Sequence, residues 1–136
     1  MKIFICASKY NYCHIPDIAK KLKKGGHILT FPNRYNDPFY EERVKKISKE
    51  KHIKIKRKYL KLQVKKVARN DALLVINFDK EKNKNYIGGS TFLEMYKAFE
   101  LGKKIFLYNP IPEGNLKDEI IAFNPKIING NLNLIK

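Results

Sequence analysis

The chain has 136 residues, 43% apolar and 12% aromatic, the composition of a globular protein with room for one core and no need of staples. No run approaches the ~18 apolar residues of a membrane span, and the apolar opening at residues 3–7 is too short for a signal segment, so one cytoplasmic domain over residues 1–136 is expected. Lys and Arg outnumber Asp and Glu by 29 to 13, a formal charge of +16. The lysines are spread over residues 20–24, 45–66 and 80–84 and are not focused beside aromatics, which disfavours nucleic acid as partner and leaves attraction for nucleotide phosphate open.

Residues 3–7 read as a central strand, buried on both faces. A polar and aromatic loop, Ser8-Lys9-Tyr10-Asn11-Tyr12, follows at its carboxyl end. A helix is predicted to begin near Pro16, with Ile15, Ile18, Ala19 and Leu22 on one face and Gly25-Gly26 as its stop. Residues 27–31 read as the second strand. Asp37-Pro38 can open a charged helix with a thin apolar face of Phe39, Val44 and Ile47, expected to be a mobile flap or an oligomer contact. A helix over 53–69 is better marked: Leu60, Val64, Val67 and Ala68 share one face, and Lys54, Lys58, Lys61 and Lys65 lie mostly on others.

The third strand is Ala72-Leu73-Leu74-Val75-Ile76-Asn77, and a polar loop then leads to Gly88-Gly89. Ser90 and Thr91 are good N-caps, and a helix pattern runs from them to Leu101. Phe92, Met95, Phe99 and either Ala98 or Leu101 form the stripe expected to pack, with Glu94 off it in the first turn, where the helix dipole favours a carboxylate. Gly102 is placed as the C-cap. Residues 105–108 make the fourth strand, Asn109-Pro110-Ile111-Pro112 an irregular turn, 116–123 a short helix and 126–128 the last strand. The alternation predicts an α/β fold, a flavodoxin-like (Rossmann-like) three-layer sandwich on a five-stranded parallel sheet in the order 2-1-3-4-5. Ligand is expected at the switch point between strands one and three, against the N-terminus of the Glu94 helix.

Glu94, Ala98, Gly102 and Lys103 reproduce the spacing E-x-G-x-A-x-x-x-G-K, with Tyr96 in place of the inner glycine. In this the chain resembles the nucleoside 2-deoxyribosyltransferase family, which includes hydrolases of deoxynucleoside monophosphates. The resemblance implies the same fold and a helix-start glutamate as nucleophile, here Glu94. It also gives Ser8, at the end of the first strand, the part of a ligand-contacting serine. Two further positions depart: Phe4 stands where many members have a tyrosine that hydrogen-bonds the nucleophile, and Gln63 stands where they have an aspartate. Family members complete their pockets across a dimer, which implies a homodimer or higher homo-oligomer and a place for Asn124 and Asn129 near a neighbour's site.

Cleaving an N-glycosidic bond passes through an oxocarbenium-like state that a carboxylate can capture as a sugar ester, and Glu94 is the candidate for that role. Beside it, the loop Gly88, Gly89, Ser90 and Thr91 can offer backbone N–H groups to a phosphate or sugar oxygen. Gln63 can hydrogen-bond a sugar hydroxyl or base but cannot act as a carboxylate base. Tyr10 and Tyr12 could stack on a base or simply pack, Asp79 could meet a base or ribose or be an exposed loop acid, and Asn109 could face the site. Cys6 and Cys13 make no metal pattern, and His14, His27 and His52 are scattered, so neither a metal nor a cofactor is expected. Three readings stay open: a nucleoside or nucleotide N-glycosidase or deoxyribosyltransferase, a nucleotide-binding module without turnover, and a basic nucleic-acid-binding protein.

Overall fold

The computed structural model describes residues 1–136. Five strands, β1 Lys2–Cys6, β2 Ile28–Thr30, β3 Ala72–Val75, β4 Lys104–Leu107 and β5 Lys126–Ile127, form one parallel sheet in the order β2-β1-β3-β4-β5. Five helices join them: α1 Ile15–Lys24, α2 Tyr40–Ile47, α3 Lys49–Arg69, α4 Gly89–Glu100 and α5 Lys117–Ala122. The architecture is therefore the flavodoxin-like sandwich that the alternation of elements predicts. None of these helices is long and apolar enough to cross a membrane.

The two-residue period of the strands divides the core. Ile3 and Ile5 of β1, with Ala72 and Leu74 of β3, face α1 and the C-terminal segment around Ile135. Phe4 and Cys6, with Leu73 and Val75, face α3, α4 and α5 through Val67, Met95, Ala98 and Ile120. Because both faces of β1 and β3 are covered, their runs are apolar without alternation. Beyond the strand ends, Asn77 is fully buried and its side-chain amide donates to the carbonyls of Asn109 and Pro110. The Asn109 backbone N–H donates back to Asn77 Oδ1 at 2.9 Å, so the two asparagines clamp the carboxyl ends of β3 and β4 together.

Three sequence expectations shift in register. The segment after β1 is a single 3-10 stretch, Lys9–His14, not an open loop, and it runs straight into α1. Helix α3 begins at Lys49, because Ser48 breaks α2 with extended backbone and caps the next helix by accepting from the Lys51 N–H. Its buried face is Gln63 and Val67, while Val64 and Ala68 look outward. The inward stripe is thus one position away from the apolar one, and it carries the polar residues that meet the site.

Helix α4 also turns differently. Its cap is Gly88, not Ser90 or Thr91, and no side chain caps it. The buried stripe is Thr91, Glu94, Met95 and Ala98. Glu94, expected off the packed face, is on it. Phe92 and Phe99 instead gather around Phe123, with ring centroids 5.5 and 5.4 Å away, and Phe99 remains half exposed.

Candidate functional site

At the carboxyl edge of β1 and β3, where the strand order reverses direction, a cavity of about 390 Å³ opens between α2, α3 and the start of α4. Ser8, Tyr10, Gln63, Gly88, Gly89, Ser90, Thr91 and Glu94 all line it. All but Gln63, which comes from the middle of α3, follow from position in a loop at the carboxyl end of a strand or at the start of α4. Asp79 and Asn109 are not among the lining residues. Asp79 instead accepts the Asn85 N–H at 2.9 Å and fixes its own loop, and the Asn109 amide donates to the Asn77 carbonyl in the clamp between strands.

Glu94 forms the floor. Its residue is 8% exposed, and its Oε2 is inaccessible and has no hydrogen-bond partner. An unpaired carboxylate oxygen at this depth is costly, and such a group is rarely kept for packing alone. Burial pushes its pKa up to about 7, partly offset by the neighbouring Cys6 thiol and by the charges of Lys66 and Lys56. Cys6 itself is fully buried, its thiol pKa raised by burial and then by the Glu94 charge, and its Sγ donates to the Phe4 carbonyl at 3.8 Å. Phe4, also on the wall, brings a ring and no hydroxyl to this carboxylate.

The rim is built by cross-helix contacts. Gln63 Nε2 donates to the Ser90 carbonyl at 3.2 Å and Lys56 Nζ donates to Ser90 Oγ at 3.0 Å, so α3 is pinned to the first turn of α4. Tyr12 lines the opposite side, and burial followed by the charges of Glu94, Cys6 and Glu41 raises its phenol well above the ordinary value. Its hydroxyl is therefore a permanent donor near neutral pH. Tyr10 is 48% exposed and stands edge-on to Phe39, and the Lys80 ammonium lies 4.1 Å from its ring centroid.

No protein-family model, curated protein or solved structure matches the chain. The chemistry of the cavity is therefore read from its own side chains. Lys9, Arg34, Lys45, Lys56 and Lys80 line it, with Glu41, Glu42 and Glu94 as its acids, so the wall carries a surplus of two positive charges even with all three acids ionised. Sequence reasoning misses this cationic wall, apart from the bulk charge. A signal is present: His52, Lys56 and Gln63 recur at i, i+4 and i+11, one stripe of α3.

Proposed function

We propose that the protein cleaves the N-glycosidic bond of a nucleoside or nucleotide, with Glu94 as nucleophile. The observation that carries this reading is the deeply buried carboxylate of Glu94, with its Oε2 unpartnered, in the lining of a cavity at the sheet's switch point. In the first step a Glu94 oxygen bonds to the anomeric carbon while the C–N bond breaks, and its electron pair leaves with the base, which takes a proton from solvent or a wall donor. In the second step water, or a second base, attacks the anomeric carbon and gives up its proton to solvent. The ester C–O bond then breaks and Glu94 is restored as a carboxylate. The nucleophile must be ionised, so a Glu94 pKa near 7 makes base release rise with pH through about 7 and level off above it.

The surplus of positive charge on the wall supports a phosphorylated substrate, and hydrolysis more than transfer between free nucleosides. The test is release of free base from deoxynucleosides and their 5′-monophosphates by wild type and Glu94→Gln. Release by wild type that falls by at least ~10³-fold in the variant is the expected result, in keeping with loss of a covalent nucleophile.

A second reading is favoured by two particular side chains. Phe4 brings no hydroxyl to the carboxylate, and one N–H of the Gln63 amide is already given to the Ser90 carbonyl. Both fit a nucleotide-binding module that does not turn over. Thermal stabilisation by a deoxynucleoside monophosphate with no base released by wild type would replace the first reading with this one.

A further inference from the structure

Helix α2 contains no fully buried residue, yet it forms one wall of the cavity through Glu41, Glu42 and Lys45. Its acidic side chains point at the cavity's cations. Glu41 Oε1 lies 3.3 Å from His52 Nε2 and 3.5 Å from Lys56 Nζ, and Glu42 pairs with Lys9. The second Glu42 oxygen, Oε2, is buried with no partner of its own. Lys9, Lys45, Lys56 and Lys80 all line this one cavity, and the ammonium groups of Lys9 and Lys80 both lie over the Tyr10 ring, 5.4 and 4.1 Å from its centroid. Four ammoniums against two carboxylates leave net positive charge beside Ser90, whose hydroxyl already accepts from Lys56.

We propose that Lys9, Lys45, Lys56 and Lys80 form the binding site for a phosphoryl group, and that Glu41 and Glu42 of α2 are resident carboxylates which that group displaces. The physical basis is competition. These pairs are partly exposed, their side chains 20–40% accessible, so water and salt screen them in part and each holds α2 only modestly. A phosphoryl dianion brings three acceptor oxygens to the same ammonium groups and makes stronger, charge-assisted hydrogen bonds. Once the carboxylates are released, α2 keeps its packing on α3, the Arg34 guanidinium over the Tyr40 ring and the Arg43–Asp37 pair, so anion entry frees the cavity side of the α2 wall to move. The ligand class is a phosphate ester or a diphosphate. The reading of the cavity as a nucleotide site bears only on what carries that group.

The experiment uses inorganic pyrophosphate as a base-free probe, titrated at fixed ionic strength and followed by thermal unfolding and calorimetry. Three proteins are compared: wild type, Glu41→Gln/Glu42→Gln, and Lys9→Gln/Lys56→Gln. Pyrophosphate is expected to stabilise wild type saturably and to bind the glutamate variant more tightly, by roughly fivefold, the ratio set by removing competing pairs of this exposure. It is expected to leave the lysine variant unshifted. Absence of saturable binding to both wild type and the glutamate variant would overturn the anion site. Equal or weaker binding by a folded glutamate variant would overturn the displacement. Base release is scored separately: pyrophosphate binding without glycosidase activity leaves the anion site standing while the proposed reaction falls, and activity without the predicted order of affinities does the reverse.

Discussion

At the scale of single residues, Glu94 works against the fold that holds it. Its pKa is raised from the ordinary 4.5 to about 7 by burial, so the folded chain holds the proton more tightly than the unfolded chain does. Stability is therefore highest below about pH 4.5 with respect to this group, is lost as pH rises between 4.5 and about 7, and stays reduced above that. The neutral isostere removes the loss. Glu94→Gln is expected to be more stable than wild type by about 2–4 kcal/mol at pH 8, since each tenfold gain in proton affinity on folding corresponds to ~1.4 kcal/mol, with the gap closing towards pH 4.5. Urea unfolding at both pH values reads this directly, and a constant difference across the range would mean that the buried charge is not the cause. A stabilising loss of function is what a residue kept for its chemistry predicts. The sequence places Glu94 in the first turn, but α4 already starts at Gly89 and no acid lies in its first turn. The sequence also hides the burial of Glu94, because Phe92 and Phe99 outweigh it in any apolar stripe. The structure sends those rings to Phe123 on the flank of α4 and turns Thr91, Glu94, Met95 and Ala98 inward.

Among the elements, the helices on either side of Ser48 are the least legible in the sequence. The charge density of residues 33–52 conceals apolar periodicity, and α2 has no buried residue to set a register. What fixes the boundary is local: one extended residue ends α2, and its hydroxyl satisfies a free N–H at the start of α3. Ser48→Ala is expected to cost about 1 kcal/mol, the ordinary worth of such a cap, with faster amide exchange in the first turn of α3. A loss indistinguishable from zero would mean that packing alone holds the junction. The strands, by contrast, are legible because residues buried on both faces must be apolar throughout, and β1 and β3 contain nothing else between Ile3 and Cys6 or Ala72 and Val75. Position along those strands also locates most of the site, since loops at their carboxyl ends meet at the switch point whatever the helices do. Asp79 and Asn109 satisfy the same topological rule, but their side chains are spent on the Asn85 N–H and on Asn77. Sequence position reports which loop a residue belongs to and says nothing of which hydrogen bond it has already made.

For the whole molecule, the charge of +16 has two consequences that salt separates. Spread over the surface, it repels itself and lowers the stability of the compact state. Converging in the cavity, it attracts anions to one place. Screening acts on both but with different signatures, because the Debye length falls from about 10 Å at 0.1 M to about 3 Å at 1 M salt. Raising NaCl from low to moderate concentration is expected to increase the melting temperature of the free protein gradually, by roughly a few degrees, without saturating at any stoichiometry. The same salt is expected to weaken pyrophosphate binding, whose stabilisation saturates at one site. Glu41→Gln/Glu42→Gln, with two fewer negative charges and thus +18, should show the steeper salt response in the free state together with the tighter anion binding. A melting temperature that falls with NaCl would mean that ion pairs such as Glu41 with Lys56 and Glu42 with Lys9 outweigh the net repulsion. In that case the resident carboxylates of α2 would be structural ties, held too firmly for a phosphoryl group to displace.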